Sequence, residues 1–156
     1  MLNLVKTQPV RNLLRTKIML WGPPKFGKTT TAALFPNAYF LATERGHDSV
    51  AIHGTDCGSW AEIKAVLNDL AAGNHPFQTI VLDTVDNAWR FCEQDLRDRF
   101  SLDYEGDAEY GKGFKMISNE FFRVLTGMSN LGYGFILISH AGEETIEVGK
   151  GKQKAA

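Results

Sequence analysis

Eight residues near the amino end carry the most specific chemistry in the chain. Gly22-Pro23-Pro24-Lys25-Phe26-Gly27-Lys28-Thr29 satisfies the pattern G-x-x-x-x-G-K-[ST] at every fixed position. That spacing belongs to loops that wrap the phosphates of a nucleotide. Glycine at 22 and 27 permits backbone angles that turn several N–H groups inward, toward an anion. Lys28 can reach the β- and γ-phosphates, and the Thr29 hydroxyl suits Mg²⁺. The expected nucleotide-contacting set is therefore Gly22, Pro23, Pro24, Lys25, Phe26, Gly27, Lys28, Thr29 and Thr30, with ATP and Mg²⁺ as cofactors.

Such a loop works with a carboxylate on a neighbouring strand. Thr79-Ile80-Val81-Leu82-Asp83 is an apolar run ending in an acid, which makes Asp83 the second metal-holding candidate beside Thr29. Thr84 follows it, so a glutamate directly after the metal aspartate is missing. Hydrolysis also needs a group that orients water toward the γ-phosphate. Glu44, just past the run Tyr39-Phe40-Leu41, fits if its strand neighbours that of Asp83; the alternative is a surface acid paired with Arg45. Ser139-His140 closes another apolar run at what would be the same edge. His140 there is placed to sense the γ-phosphate, or else is a simple polar strand end. Asp86 has the plain reading of a helix cap.

The elements that must position these groups alternate along the chain. Short apolar runs occupy Lys17 to Trp21, Ala38 to Ala42, Thr79 to Asp83 and Phe135 to Ser139. Consecutive apolar positions without alternation suit strands covered on both faces. Between them lie helical patterns. One runs from Thr29 to Leu34. In a second, Trp60, Ile63, Val66, Leu67 and Leu70 recur at helical spacing between a capping Ser59 and a terminating Gly73. Trp89, Cys92, Leu96 and Phe100 make a third, with Glu93 and Arg97 four apart. Phe114, Ile117, Phe121, Val124, Leu125 and Met128 make a fourth. Strand and helix in turn predict an α/β fold, a mainly parallel sheet flanked by helices. Residues 101–113, with four acids, three glycines and two tyrosines, read as a long loop.

A length of 156 residues suits one domain, 1–156, with a core over 15–142 and a basic flexible tail or incomplete loop over 143–156. The net charge of −1 excludes adhesion to nucleic acid by bulk charge, but it averages two unlike parts. Residues 1–43 hold six basic side chains and no acid, leaving eleven basic and eighteen acidic beyond them. No apolar run approaches the roughly 20 residues of a membrane span, so no membrane partner is expected. Cys57 and Cys92, far apart, read as reduced thiols of a cytoplasmic protein. His47, Asp48, His53, Asp56 and Cys57 cluster in a polar loop, but at no standard zinc spacing. No GxGxxG follows a strand, which removes nicotinamide and flavin readings.

The segments Gly22-Pro-Pro-Lys-Phe-Gly-Lys-Thr-Thr, Phe40-Leu-Ala-Thr-Glu44-Arg-Gly, Thr79-Ile-Val-Leu-Asp83-Thr-Val-Asp-Asn, Tyr110-Gly-Lys-Gly-Phe and Ile138-Ser-His140 together carry a resemblance. Over roughly residues 15–142 the chain resembles the RecA/RadA-like P-loop ATPases, and more closely the short phage ATP-binding proteins of single-strand annealing and recombination. The resemblance implies a RecA-like core, Glu44 as catalytic base, and His140 where such proteins often carry Gln. Lys28, Glu44 and His140 are then the catalytic set. It also implies single-stranded DNA as a partner, a homo-oligomer with ATP near the subunit interface, and the host cytoplasm if phage-encoded. The two DNA-facing loops would be residues 101–113 and 141–154. Seven acids against two arginines over 93–109 repel phosphate, whereas Lys150, Lys152 and Lys154 suit it. Such a core continues past the fourth strand, yet this chain stops about 16 residues later. The expectation is thus a fragment, truncated at its carboxyl end. Two other readings remain: a P-loop small-molecule kinase with Arg97 and Arg99 near a lid, and a nucleotide-dependent binding module without useful turnover.

Overall fold

The computed structural model describes residues 12–45, 50–100, 112–142, 144–148 and 151–155. After a 3-10 turn at Leu13–Arg15 come β1 (Lys17–Gly22), α1 (Lys28–Ala33), β2 (Ala38–Ala42), β3 (His53–Asp56) and α2 (Trp60–Ala72). They are followed by β4 (Thr79–Asp83), α3 (Val85–Phe100), α4 (Lys112–Asn130), β5 (Gly134–His140), β6 (Glu144–Val148) and β7 (Gly151–Ala155). The first five strands form one sheet in the order β1-β5-β4-β2-β3, parallel throughout. The expected α/β class, with helices flanking a parallel sheet, is what the chain adopts.

Each face of the sheet has its own core, because neighbouring residues of a strand point to opposite sides. Leu41, Ile80, Leu82 and Phe135 pack with Trp60, Ile63 and Leu67 of α2, Cys92 and Leu96 of α3, and Ile117 and Phe121 of α4. Phe40, Val81, Ile136 and Ile138 face the other way, onto Ala32 of α1. Buried on both sides, β4 is apolar at three consecutive positions before Asp83. Trp60 stacks on Phe121 at 5.6 Å, which locks α2 to α4. The helix signals act as expected: Ser59 accepts a hydrogen bond from the Glu62 N–H at 3.2 Å, and Gly73 ends α2 in the left-handed conformation.

Three features depart from the sequence expectations. β1 is not covered on both faces: it is the edge strand, with Ile18 and Leu20 packed inward and Met19 and Trp21 59% and 62% exposed. β3 arises where the sequence suggests a polar loop. Its Gly54 lies so close to β2 that a Cβ would sit 2.6 Å from the Phe40 carbonyl oxygen, so only glycine fits. Within 143–156, β6 and β7 pair antiparallel, setting Glu147 opposite Lys152 in register. Of the 101–113 stretch, residues 101–111 lie outside the described residues, and 112–113 open α4.

Cys57 and Cys92 are both buried free thiols. Burial pushes Cys57 up to about 11 and Cys92 up to about 12, with the nearby carboxylates adding to the effect. Two pKa units remove about a hundredfold of the thiolate, the reactive form. At pH 8 a thiol reagent such as DTNB is therefore expected to label neither cysteine over minutes in the folded protein. Both should react at once in denaturant. Rapid labelling of a native sample would show that one of these packed sites opens. Among the described residues no group of three or more His, Cys, Asp or Glu is placed to hold a metal, and His47 and Asp48 of the suspected cluster lie outside them.

Candidate functional site

Parallel pairing brings the carboxyl ends of β1, β2, β4 and β5 to one edge of the sheet. Gly22 lies in register with His140, and Ala42 with Asp83, so the loops that follow converge. A cleft of about 600 Å³ opens there, lined by residues including Lys25, Thr29, Glu44, Arg45, Asp83 and His140. Five groups singled out by residue type and spacing, Lys28, Thr29, Glu44, Asp83 and His140, thus meet at one site.

The loop between β1 and α1 is shaped by Gly27, whose φ of 80° is one that a side chain disfavours. Lys25 also adopts a positive φ, 62°. Phe26 at the tip is 79% exposed, so what this position offers an anion is its backbone N–H and not its ring. Lys28 folds back over the loop. Its Nζ donates to the carbonyl oxygens of Gly22 at 2.8 Å and Pro23 at 2.7 Å, and lies 3.2 Å from His140 Nδ1.

Thr29 and Asp83, from elements 54 residues apart, are in direct contact: the Thr29 hydroxyl donates to Asp83 Oδ2 at 2.7 Å. Burial raises the Asp83 carboxyl above its ordinary range, and the charge of Glu44 adds to this. The Thr29 hydrogen bond and the positive charge of Lys28 oppose it. A buried carboxylate short of positive charge, next to a hydroxyl, is a hard-oxygen donor pair that fits Mg²⁺. Thr29 and Asp83 are the residues that would hold it.

Glu44 is not a free surface acid. Its Oε1 lies 2.9 Å from His140 Nε2, and its Oε2 accepts from Asn87 Nδ2 at 3.3 Å. Thr43 fixes the turn that presents it. Its hydroxyl accepts from the Thr84 N–H at 2.7 Å and donates to the Thr84 carbonyl at 3.0 Å, stitching the end of β2 to that of β4. The Asp83–Thr84 peptide there is cis.

Asp86, expected as a helix cap, has its carboxylate taken by β5 instead. It accepts from the Ser139 hydroxyl at 3.1 Å and from the His140 N–H at 2.9 Å. Thr43 and Asn87 were not foreseen at all. Their only trace in the sequence is position, Thr43 beside Glu44 and Asn87 one turn after Asp83; their partners lie 41 to 44 residues away.

A strand, a phosphate-binding loop with its lysine and hydroxyl, and a buried strand-end aspartate in contact with that hydroxyl form a complete P-loop core. A family model described as an AAA domain matches residues 14–156. No curated protein matches the chain. Because the family match leaves out only the first thirteen residues, the chain belongs to this AAA-domain family of P-loop ATPases.

Proposed function

We propose that the protein is a Mg²⁺-dependent ATPase of RecA type that couples its nucleotide state to single-stranded DNA binding, annealing or recombination. The observation that carries the nucleotide chemistry is the meeting of Thr29, Asp83, Glu44 and His140 in one cleft, with Lys28 in contact with His140 beside it. The loop N–H groups and Lys28 take the phosphates. Mg²⁺, held by Thr29 and Asp83, supplies charge neutralisation there. Glu44 accepts a proton from the attacking water as its oxygen bonds to the γ-phosphorus and the bond to ADP breaks, giving ADP and phosphate. In this reading His140 senses the γ-phosphate by hydrogen bonding.

The DNA half of the reading is supported by the resemblance across the quoted segments and by the lysines at 150, 152 and 154. In this reading the protein is a homo-oligomer with ATP near a subunit interface, working in the cytoplasm of a cell or of a phage host. Among the described residues no helix is long and apolar enough to cross a membrane.

The test is ATP turnover with and without single-stranded DNA, on wild type and on the Lys152→Ala/Lys154→Ala double variant. Stimulation of about fivefold or more is expected, the lower range of coupling between two ligand sites. It should vanish as salt rises from about 50 to about 200 mM, and shrink in the double variant. ATP turnover indifferent to DNA at every salt concentration sinks the coupling. Tight Mg·ATP binding with no loss of ATP would identify a nucleotide-dependent binding module. Phosphate found on a small acceptor would identify a kinase.

A further inference from the structure

The ladder between β4 and β5 ends at Asp83 and Ile138, but β5 runs on beside β1 as far as His140, opposite Gly22. Alternate residues of a strand turn their backbone groups to the same side. The N–H groups of Phe135 and Ala141 point toward β1, to the carbonyls of Thr16 at 2.9 Å and Gly22 at 3.0 Å. The His140 N–H is therefore aimed the other way, at a flank from which β4 has already turned off into α3. Left alone there, it would be an unpaired donor at a part-buried position. The Asp86 carboxylate fills the gap. Its Oδ2 accepts from this N–H at 2.9 Å, and its Oδ1 from the hydroxyl of the buried Ser139 at 3.1 Å.

Asn87, the next residue, donates to Glu44 Oε2 at 3.3 Å and to the Thr43 carbonyl at 3.4 Å. Two consecutive side chains in the first turn of α3 thus reach the two strand ends that flank β4. The groups they hold, His140 and Glu44, meet at 2.9 Å. We propose, resting on the ATPase reading, that Asp86 is a positioning residue for His140. By gripping the backbone of the histidine it fixes where the ring starts from, and so where its nitrogens stand relative to Glu44 and Lys28. Both of its oxygens are engaged by β5, so it acts through the histidine and not on the nucleotide.

The charge of this acid and its place can be told apart. Asparagine keeps the place: its oxygen can accept from the His140 N–H while its NH₂ donates to the Ser139 oxygen, and only the charge is lost. Glutamate keeps the charge, which is favourable at a helix start, but carries its carboxylate one methylene farther out. An acid serving only the end of α3 predicts glutamate to be the milder change. Positioning predicts asparagine.

Asp86→Asn and Asp86→Glu are compared with wild type by steady-state ATP turnover, Mg·ADP calorimetry and melting curves. In Asp86→Asn, kcat/KM for ATP should stay within about threefold of wild type. In Asp86→Glu it should fall by about tenfold, since displacing a reacting geometry by about 1 Å costs up to about a hundredfold. Mg·ADP affinity should stay within about twofold in both, because ADP lacks the phosphate that His140 senses. Added to His140→Ala, Asp86→Glu should lower turnover by no more than about a further twofold, although its effect on melting persists. A purely structural carboxylate would cost the same in either background. Histidine-ring NMR needs no turnover: the His140 signal, assigned by its absence from His140→Ala, should hold its place in Asp86→Asn and move in Asp86→Glu. Glutamate milder than asparagine, an undiminished loss in the His140→Ala background, or a ring signal unmoved in Asp86→Glu overturns the assignment. A wild type that turns over no ATP, with the ring signals moving as expected, would overturn the ATPase reading and leave the placement of His140 by Asp86 standing.

Discussion

Replacing Lys28 by alanine is expected to weaken Mg·ATP binding by about a hundredfold and to remove turnover with it. The ammonium is the only group of the phosphate loop whose side chain already lies over the bend of the backbone, on the Gly22 and Pro23 carbonyls. A charge-assisted hydrogen bond is worth about 1.5–3 kcal/mol, and contacts to two phosphates reach the ~2.8 kcal/mol that a factor of a hundred requires. The fold should survive. The carbonyls left behind stand at a partly open cleft where water can replace the lysine, so the melting temperature should fall by no more than about 3 °C. Lys28→Arg is not expected to rescue. Its planar fork is larger and cannot occupy a point set by two carbonyls and a ring nitrogen. Phe26→Ala, in the same loop, is the control: with its ring 79% exposed, binding should change by no more than about twofold. Titration calorimetry with Mg·ATP on all four proteins decides the matter. Full affinity in Lys28→Ala would mean that nucleotide binds elsewhere.

How far the sequence reveals this site depends on the range over which each feature is determined. The loop from Gly22 to Thr29 is legible because its chemistry is local: glycines and lysine at fixed spacing make the cradle whatever surrounds it. β2 and β4 are legible because full burial imposes unbroken apolar runs, and their bounds, Ala38–Ala42 and Thr79–Asp83, coincide with those runs. β1 shows the weakness of the same signal. Its apolar run resembles that of β4, but strand order places it at the edge, where Met19 and Trp21 face outward. Strand order is set by crossovers and packing across the whole chain, and no single run encodes it.

β3 fails for the opposite reason. His-Gly-Thr-Asp carries no apolar pattern, and what makes it a strand is contact with β2, where Gly54 allows the Phe40 carbonyl to approach. Glu44 illustrates a middle case. That it ends a strand could be read, but whether it faced solvent or the site depended on β2 lying beside β4. Asp86 was misassigned because a carboxylate at a helix start caps by default. Its actual partners belong to a strand more than fifty residues on, which became its neighbours only when β5 inserted between β1 and β4. Groups that bind ligand through their own backbone are written locally. Groups that hold other groups in place are written only in the assembled sheet.

Changing Glu44 to glutamine should separate binding from turnover more cleanly than any other substitution in the cleft. Glutamine has the same length and keeps an oxygen able to accept from His140 Nε2, so the contact now spanning 2.9 Å can persist. The Asn87 amide loses its carboxylate acceptor, a modest cost because the Glu44 side chain is 38% exposed. What glutamine cannot do is take a proton from water. General-base action contributes about 10²- to 10⁴-fold, so kcat should fall by about two orders of magnitude or more while the affinity for Mg·ADP stays within about twofold. Asn87→Ala should show a weaker form of the same effect, lowering kcat by about three- to tenfold, because the acid is then present but less firmly aimed. The order of the three proteins matters as much as the sizes. A glutamine variant that turns over at the wild-type rate would assign water activation to another group, and the proximity of Glu44 to His140 would then be structural alone. Loss of turnover together with loss of ADP binding would instead mean that the negative charge at this edge shapes the cleft, through its influence on the buried Asp83.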